Sequence, residues 1–197
     1  MPAAVKTDYT LSKNKRAVQE AIFNLYKKHK FNRVVGLAGP NITEYLQMMK
    51  DKGFRHAEIY ENNISQLAIQ MGHYEPVISS QVVFGDIILA NANQENTLYD
   101  LDFCCSINTA SEHIQKFSSD DAVVTTLSIR PVGFIHTILK YAQLIDRKSS
   151  PIIEFLGGVT SHLGKYRTYR LSVNNKKYMC YLYKDSVPMV TIQSIIN

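Results

Sequence analysis

Arg33-Val34-Val35-Gly36-Leu37-Ala38-Gly39-Pro40-Asn41-Ile42-Thr43-Glu44-Tyr45-Leu46 is the stretch that decides how this chain folds. Its first third is a short β-branched run, suited to a strand. Ala38-Gly39-Pro40-Asn41 interrupts that run with residues that turn the backbone. Asn41 can then cap a helix, and Glu44, three residues on, can complete a capping box. The stretch therefore predicts a strand, a tight Gly-containing turn and a helix in direct succession.

Reading outward, that helix ends at Gly53 and Ala57-Glu58-Ile59-Tyr60-Glu61 forms a second strand closed by Asn62-Asn63. A βαβ unit is complete in about thirty residues. The alternation goes on with a helix over 64–71, a strand over 77–84 ending in Gly85-Asp86, a strand over 99–105 and a helix over 110–117. A fifth strand over 122–129, with Thr125 and Thr126 inside it, and an apolar helix over 132–145 follow. Such alternation implies an α/β fold with a mostly parallel central sheet and helices on both faces. The ending differs: residues 166–173 and 176–184 flank Asn174-Asn175 as an antiparallel hairpin, and a last strand covers 189–195. Upstream, residues 12–30 carry Ala17, Val18, Ala21, Ile22 and Leu25 at helical spacing, with lysines and Arg16 on the other face.

The 197 residues are 45% hydrophobic and 20% charged, which suits one domain spanning 1–197 without disulfide staples. The formal charge of +5 is unevenly distributed. Residues 1–33 hold eight Lys or Arg against two acids, residues 34–162 eight against fourteen, and residues 163–197 six against one. A neutral-to-acidic centre is thus flanked by a basic N-terminal helical extension and a basic C-terminal hairpin region. Three cysteines, two of them adjacent, suit a reducing compartment. With no apolar leader and no span of about 20 apolar residues, a cytoplasmic protein without membrane association is expected. The six histidines show no metal-ligand spacing with the cysteines, so no metal is expected, and no Gly-Lys-Ser or Gly-Lys-Thr phosphate loop occurs.

In the order of these features the chain resembles class I S-adenosylmethionine-dependent methyltransferases, as a divergent nucleic-acid methyltransferase-like member of viral type, over roughly residues 12–195. The resemblance implies a Rossmann-like fold and S-adenosylmethionine as cofactor. It places Gly36, Gly39 and Asn41 under the amino-acid part of the cofactor, Glu61 on the ribose hydroxyls and Asp86 on the adenine amino group. The residues support each assignment. The two glycines tolerate close approach and unusual backbone angles, while Glu61 and Asp86 are carboxylates at successive strand ends, where ligands of open α/β sheets bind. The first strand carries Val35-Gly36 where the family has an acid.

The resemblance puts the chemistry on the fourth strand, in Asp100-Leu101-Asp102-Phe103-Cys104-Cys105-Ser106. Asp102, with Asp100 as the other candidate, would position the acceptor; Cys104 and Cys105 read as structural thiols. A Lys-Asp-Lys-Glu set for deprotonating a ribose hydroxyl would draw on Lys15, Asp102, Lys140 and Glu154. Lys15, Arg16, Arg130, Arg167, Arg170, Lys176 and Lys177 are the candidate phosphate contacts, with the C-terminal tyrosines either stacking on bases or simply packing an ordinary hairpin. The expected function is methyl transfer to nitrogen or oxygen of DNA or RNA. The alternative is a catalytically inactive methyltransferase-like subunit of a viral or nucleic-acid-processing protein complex, and a nicotinamide-binding Rossmann domain stands third.

Overall fold

The computed structural model describes residues 13–39, 41–183 and 188–196. Ser12, Pro40 and residues 184–187 lie outside the described residues, as do the side chains of Lys13 and Cys104. Among the described residues, nine strands form one sheet. In chain order the elements are α1 (Lys13–Leu25), β1 (Arg33–Gly36), α2 (Ile42–Asp51), β2 (His56–Glu61), α3 (Ile64–Gly72), β3 (Ser79–Phe84), β4 (Thr97–Ser106), α4 (Ser111–Phe117), β5 (Val123–Ser128), α5 (Phe134–Ile145), β6 (Ile152–Thr160), β7 (Lys165–Val173), β8 (Lys176–Tyr183) and β9 (Met189–Ser194). A 3-10 turn, Ile87–Leu89, follows β3.

The strand order is β3-β2-β1-β4-β5-β9-β8-β7-β6. The first five strands are parallel, so their carboxyl ends share one rim. β9 runs antiparallel beside β5, and β8, β7 and β6 continue antiparallel to the far edge. Burial explains why β1 and β5 lack polar alternation. Val34 and Val35 face opposite cores, and β5 is buried over Val123, Val124, Thr125, Thr126 and Leu127. On one side of the sheet, α1 and α2 bury Val18, Ile22, Leu46 and Met49 against Val34, Ile59 and Val124. On the other, α4 and α5 bury Phe117, Ile138 and Tyr141 against Tyr99, Leu101 and Cys180.

The ending is larger than the sequence predicted. Ile152–Thr160 is a full strand, β6, that the Gly157-Gly158 pair hides in the sequence. Its register on β7 shifts between Phe155 and Gly157, and Gly157 takes φ 139°, an angle that glycine adopts readily. The hairpin turn falls at Asn174-Asn175 as expected, with Asn174 at φ 55°. α1 stops at Leu25, short of the predicted 30, and the next residue anchors it: the Tyr26 hydroxyl donates to the Ser194 carbonyl at 2.6 Å.

Ser194 is the joint between this helix and the sheet. Its hydroxyl donates to the Asp121 carbonyl at 2.7 Å, accepts from the Val123 N–H at 2.9 Å and lies 2.8 Å from the Tyr26 hydroxyl. Ser194→Ala strips partners from two backbone groups at the start of β5. It should lower stability by about 1–3 kcal/mol in urea unfolding, with the far-ultraviolet circular dichroism unchanged. A loss below measurement error would show that the joint carries no weight.

Candidate functional site

A cleft of about 580 Å³ opens along the rim where β1, β2, β3 and β4 end, in the size range of small-molecule sites. Five carboxylates line it, Glu44, Glu61, Asp86, Asp100 and Asp102, against Lys15 as the lysine. Such a concentration of acid is costly unless each group has a partner. Glu61, Asp86, Asp100 and Asp102 each have one, and the partners differ.

Asp102 pairs with the Lys15 ammonium, which reaches across from α1. Lys15 is raised above the usual lysine range: burial is the largest influence and opposes the shift, but the charge and hydrogen bond of Asp102, with Tyr183 and Asp100 adding, together outweigh it. The Asp102 Oδ2 takes this contact, while Oδ1 is buried and has no partner among the described residues. Asp100, two residues earlier and so on the same face of β4, accepts from the Tyr45 hydroxyl of α2 at 2.9 Å. Its carboxyl is pushed up to about 6, by burial first and then by the Asp102 charge, with Tyr45 and Lys15 pulling the other way. Burial likewise raises the Tyr45 hydroxyl, and the Asp100 charge adds to it. Behind them, Thr191 Oγ1 bonds Thr126 Oγ1 at 2.8 Å and the Tyr183 hydroxyl at 2.9 Å, closing this end of the cleft.

Glu61 ends β2. Its Oε1 accepts from the Asn63 N–H at 2.8 Å and its Oε2 from the Gln70 amide at 3.2 Å. Asp86 follows β3, and its Oδ1 accepts from the Ile88 N–H at 2.9 Å and lies 2.5 Å from His113 Nε2. Burial opposes, but the Ile88 N–H and His113 hold the Asp86 carboxyl below the usual range. His113 in turn packs edge-on against Phe103.

The two glycines of the decisive turn play different parts. Gly39 sits at φ 67°, with nothing within 4 Å of the position a Cβ would take, and it lines the cleft. Gly36 does not line the cleft. A Cβ there would stand 2.9 Å from the Tyr45 hydroxyl and 2.9 Å from the Asp100 carbonyl, so glycine is required by packing rather than by ligand approach. Asn41 lines the cleft but spends its side chain on α2: Oδ1 accepts from the Glu44 N–H at 3.2 Å and Nδ2 donates to the Glu44 carboxylate at 2.8 Å. The expected capping box is thus closed between two side chains.

Of the residues expected to meet phosphates, Lys15 lies inside the cleft, and Arg16 is 3.6 Å from Glu44. Arg170 pairs with Glu154 at 3.1 Å, and Lys176 donates to the Ser118 carbonyl at 2.8 Å. Arg130, Arg167 and Lys177 are exposed. Strand alternation sends the hairpin cations to opposite faces. Arg167 shares its face with Tyr169 and Leu171 over one core, whereas Lys177 shares its face with Tyr181 and Tyr183 over the other. The hairpin tyrosines Tyr166, Tyr178, Tyr181 and Tyr183 are buried, so they serve the core and are not available to stack on bases. The Lys-Asp-Lys-Glu set is not assembled. Lys140 bonds Asn108 and Glu154 pairs with Arg170, both away from the Lys15 and Asp102 pair.

Gln70, His113 and Tyr45 were not legible as site residues. Tyr45 and Gln70 are ordinary positions in helical runs, and His113 lies in a helix whose proximity to Asp86 only the tertiary fold creates. Among the described residues no cluster of His, Cys, Asp or Glu could hold a metal ion, and no helix is long and apolar enough to cross a membrane.

No family profile and no curated protein matches the sequence. Solved structures do match in architecture. A candidate RNA methyltransferase of Pyrococcus horikoshii shares 12% identity over 92% of this chain and 86% of its own, with a TM-score of 0.53. The methyltransferase domain of bacterial CtHen1-C shares 9% over 94% of this chain and all of its own length, at a TM-score of 0.52. This chain has the Rossmann-like methyltransferase fold. A precorrin-6y C5,15-methyltransferase of Geobacter metallireducens shares the fold too, with 9% identity over 93% of this chain and 89% of its own and a TM-score of 0.51. In this fold the cleft occupies the rim on which open α/β sheets bind ligands.

Asp100 gives the site a pH signature. An acid raised on folding stabilises the folded state while protonated and loses that contribution as pH climbs from its unfolded value, about 3.9, toward and past its folded one. Asp100→Asn should therefore match the parent near pH 4 and exceed it by something on the order of 2 kcal/mol above pH 7, read from urea midpoints. A difference of constant size across that range would contradict the assignment.

Proposed function

We propose that this chain binds S-adenosylmethionine across the ends of β1, β2 and β3 and transfers its methyl group to a nitrogen or oxygen of nucleic acid. The observation that carries the reading is the set of carboxylates, Glu61 and Asp86 at strand ends and Asp100 and Asp102 within β4, each held by its own partner around one cleft. A carboxylate oxygen accepts more than one hydrogen bond, so Glu61 keeps capacity for a ribose diol and Asp86 for an exocyclic amine while bonded to the protein. Gly39 leaves the turn open for close approach. The acidic lining suits a cationic ligand. When bound, S-adenosylmethionine supplies a methyl group on a positively charged sulfur.

The chain's own residues then have two tasks. Asp102, anchored through one oxygen by Lys15, presents its unpartnered Oδ1 to an N–H or O–H of the acceptor and fixes its direction; alignment of this kind supplies much of the rate in such transfers. The wall of Thr126, Thr191 and Tyr183 closes the cleft behind it. Nucleic acid as acceptor is supported by the exposed cations Arg130, Arg167 and Lys177 outside the cleft.

Calorimetric titration with S-adenosylmethionine should give one site, weakened roughly tenfold or more by Glu61→Ala and by Asp86→Ala, since each removes hydrogen bonds to a charged acceptor. Methyl transfer from labelled cofactor to pools of DNA, RNA and protein should favour one nucleic acid. It should fall with salt and be abolished by Asp102→Ala with cofactor affinity retained. Absence of heat at millimolar ligand would end this reading, and transfer to protein alone would end its nucleic-acid part.

A further inference from the structure

α3 is held to the molecule in an unusual way. Ile64, Ile69 and Met71 on this helix are exposed, Ile64 by 62%, whereas Gln70 is completely buried. Burying a polar amide while leaving apolar neighbours in water runs against the hydrophobic driving force. The cost is compounded because Gln70 Oε1 has no partner among the described residues. The Gln70 amide nitrogen, by contrast, is used twice. It donates to the Gly39 carbonyl at 2.6 Å and to Glu61 Oε2 at 3.2 Å. One side chain thereby ties the turn after β1 to the acid that ends β2.

The other end of the same helix completes the arrangement. Asn63 caps α3, accepting from the Ser65 and Gln66 N–H groups at 3.0 and 3.1 Å, while its own N–H donates to Glu61 Oε1. Both oxygens of Glu61 are therefore aimed by the start and the end of α3. Gln66, one turn before Gln70, lines the cleft, and its Nε2 is buried with no partner among the described residues.

We infer that Gln70 is a positioning residue for recognition of the ligand's ribose diol, setting the direction of the Glu61 carboxylate. This rests on the cofactor reading above and extends it to a residue outside the strand-end motifs. A core amide with one unsatisfied oxygen is kept because it aims a ligand-binding acid, not because it stabilises the fold. Two consequences separate that role from a structural one. Replacing Gln70 by an apolar residue of similar size should leave stability unchanged or higher. It should weaken binding only of ligands that carry the diol.

The test titrates the full chain and Gln70→Leu with S-adenosylhomocysteine and with its 2′,3′-dideoxy analogue by calorimetry, alongside urea unfolding. The expected result is a midpoint no lower than the parent's, a loss of roughly tenfold in affinity for S-adenosylhomocysteine, and no change for the dideoxy analogue. Equal losses for both ligands, or none for either, overturn the inference while leaving the cofactor reading in place. Failure of the parent chain to bind S-adenosylhomocysteine overturns both. Should Gln70→Leu not fold, Gln70→Met keeps the unbranched shape and is read by the same criteria.

Discussion

Carboxylates crowded on one rim of a sheet repel one another and resist leaving water, and the rest of this structure is arranged around that constraint. Glu61 and Asp86, at the ends of β2 and β3, and Asp100 and Asp102, within β4, stand around a single cleft. Each is assigned a separate donor from a separate element: Gln70 of α3, His113 of α4, Tyr45 of α2 and Lys15 of α1. The helices on both faces thus do more than cover the sheet; α1, α2, α3 and α4 each deliver one polar side chain to the rim. The balance is least complete at Asp100, whose partner is a neutral hydroxyl and whose carboxyl is pushed up to about 6. A site that keeps a buried, raised acid largely ionised near neutral pH gives up stability in exchange for an electrostatic field directed into the cleft.

The parallel half of the fold was legible because its signals are local. Alternation of β-branched runs with capped helices fixes five strands and their order of appearance, and the acids at their ends follow from the same reading. β6 was missed because Gly157 and Gly158 look like a loop, whereas they form a bulge within a long strand. Likewise Gly36 and Gly39 are indistinguishable in sequence. Only the fold shows that Gly36 makes room for Tyr45 against Asp100, while Gly39 bends the turn that opens on the cleft. Gln70 and His113 carry no local mark, since their importance comes from contacts with Gly39, Glu61 and Asp86, far from them in sequence.

The charge pattern takes on a different meaning in the folded chain. The acidic middle segment supplies all five carboxylates of the cleft: the four acids singled out from the sequence and Glu44, which the sequence offered only as a helix-capping residue. The basic N-terminal segment does not stay outside. Lys15 enters the cleft as the counter-ion of Asp102, and the α1 backbone region meets the C-terminal strands, where the Lys165 N–H donates to Asn14 at 2.6 Å. The C-terminal cations divide between two faces because neighbours on a strand point in opposite directions, and their tyrosines fill the cores between.

The central claim is that the ligand lies across the ends of β1, β2 and β3. Mapping backbone amide resonances of the labelled chain as S-adenosylhomocysteine is added tests it most directly. The account predicts saturable shifts concentrated at residues 37–39, 61–70 and 85–88, with β6 and β7 unmoved. An unchanged spectrum at millimolar ligand, or shifts centred on β6 and β7, would contradict it.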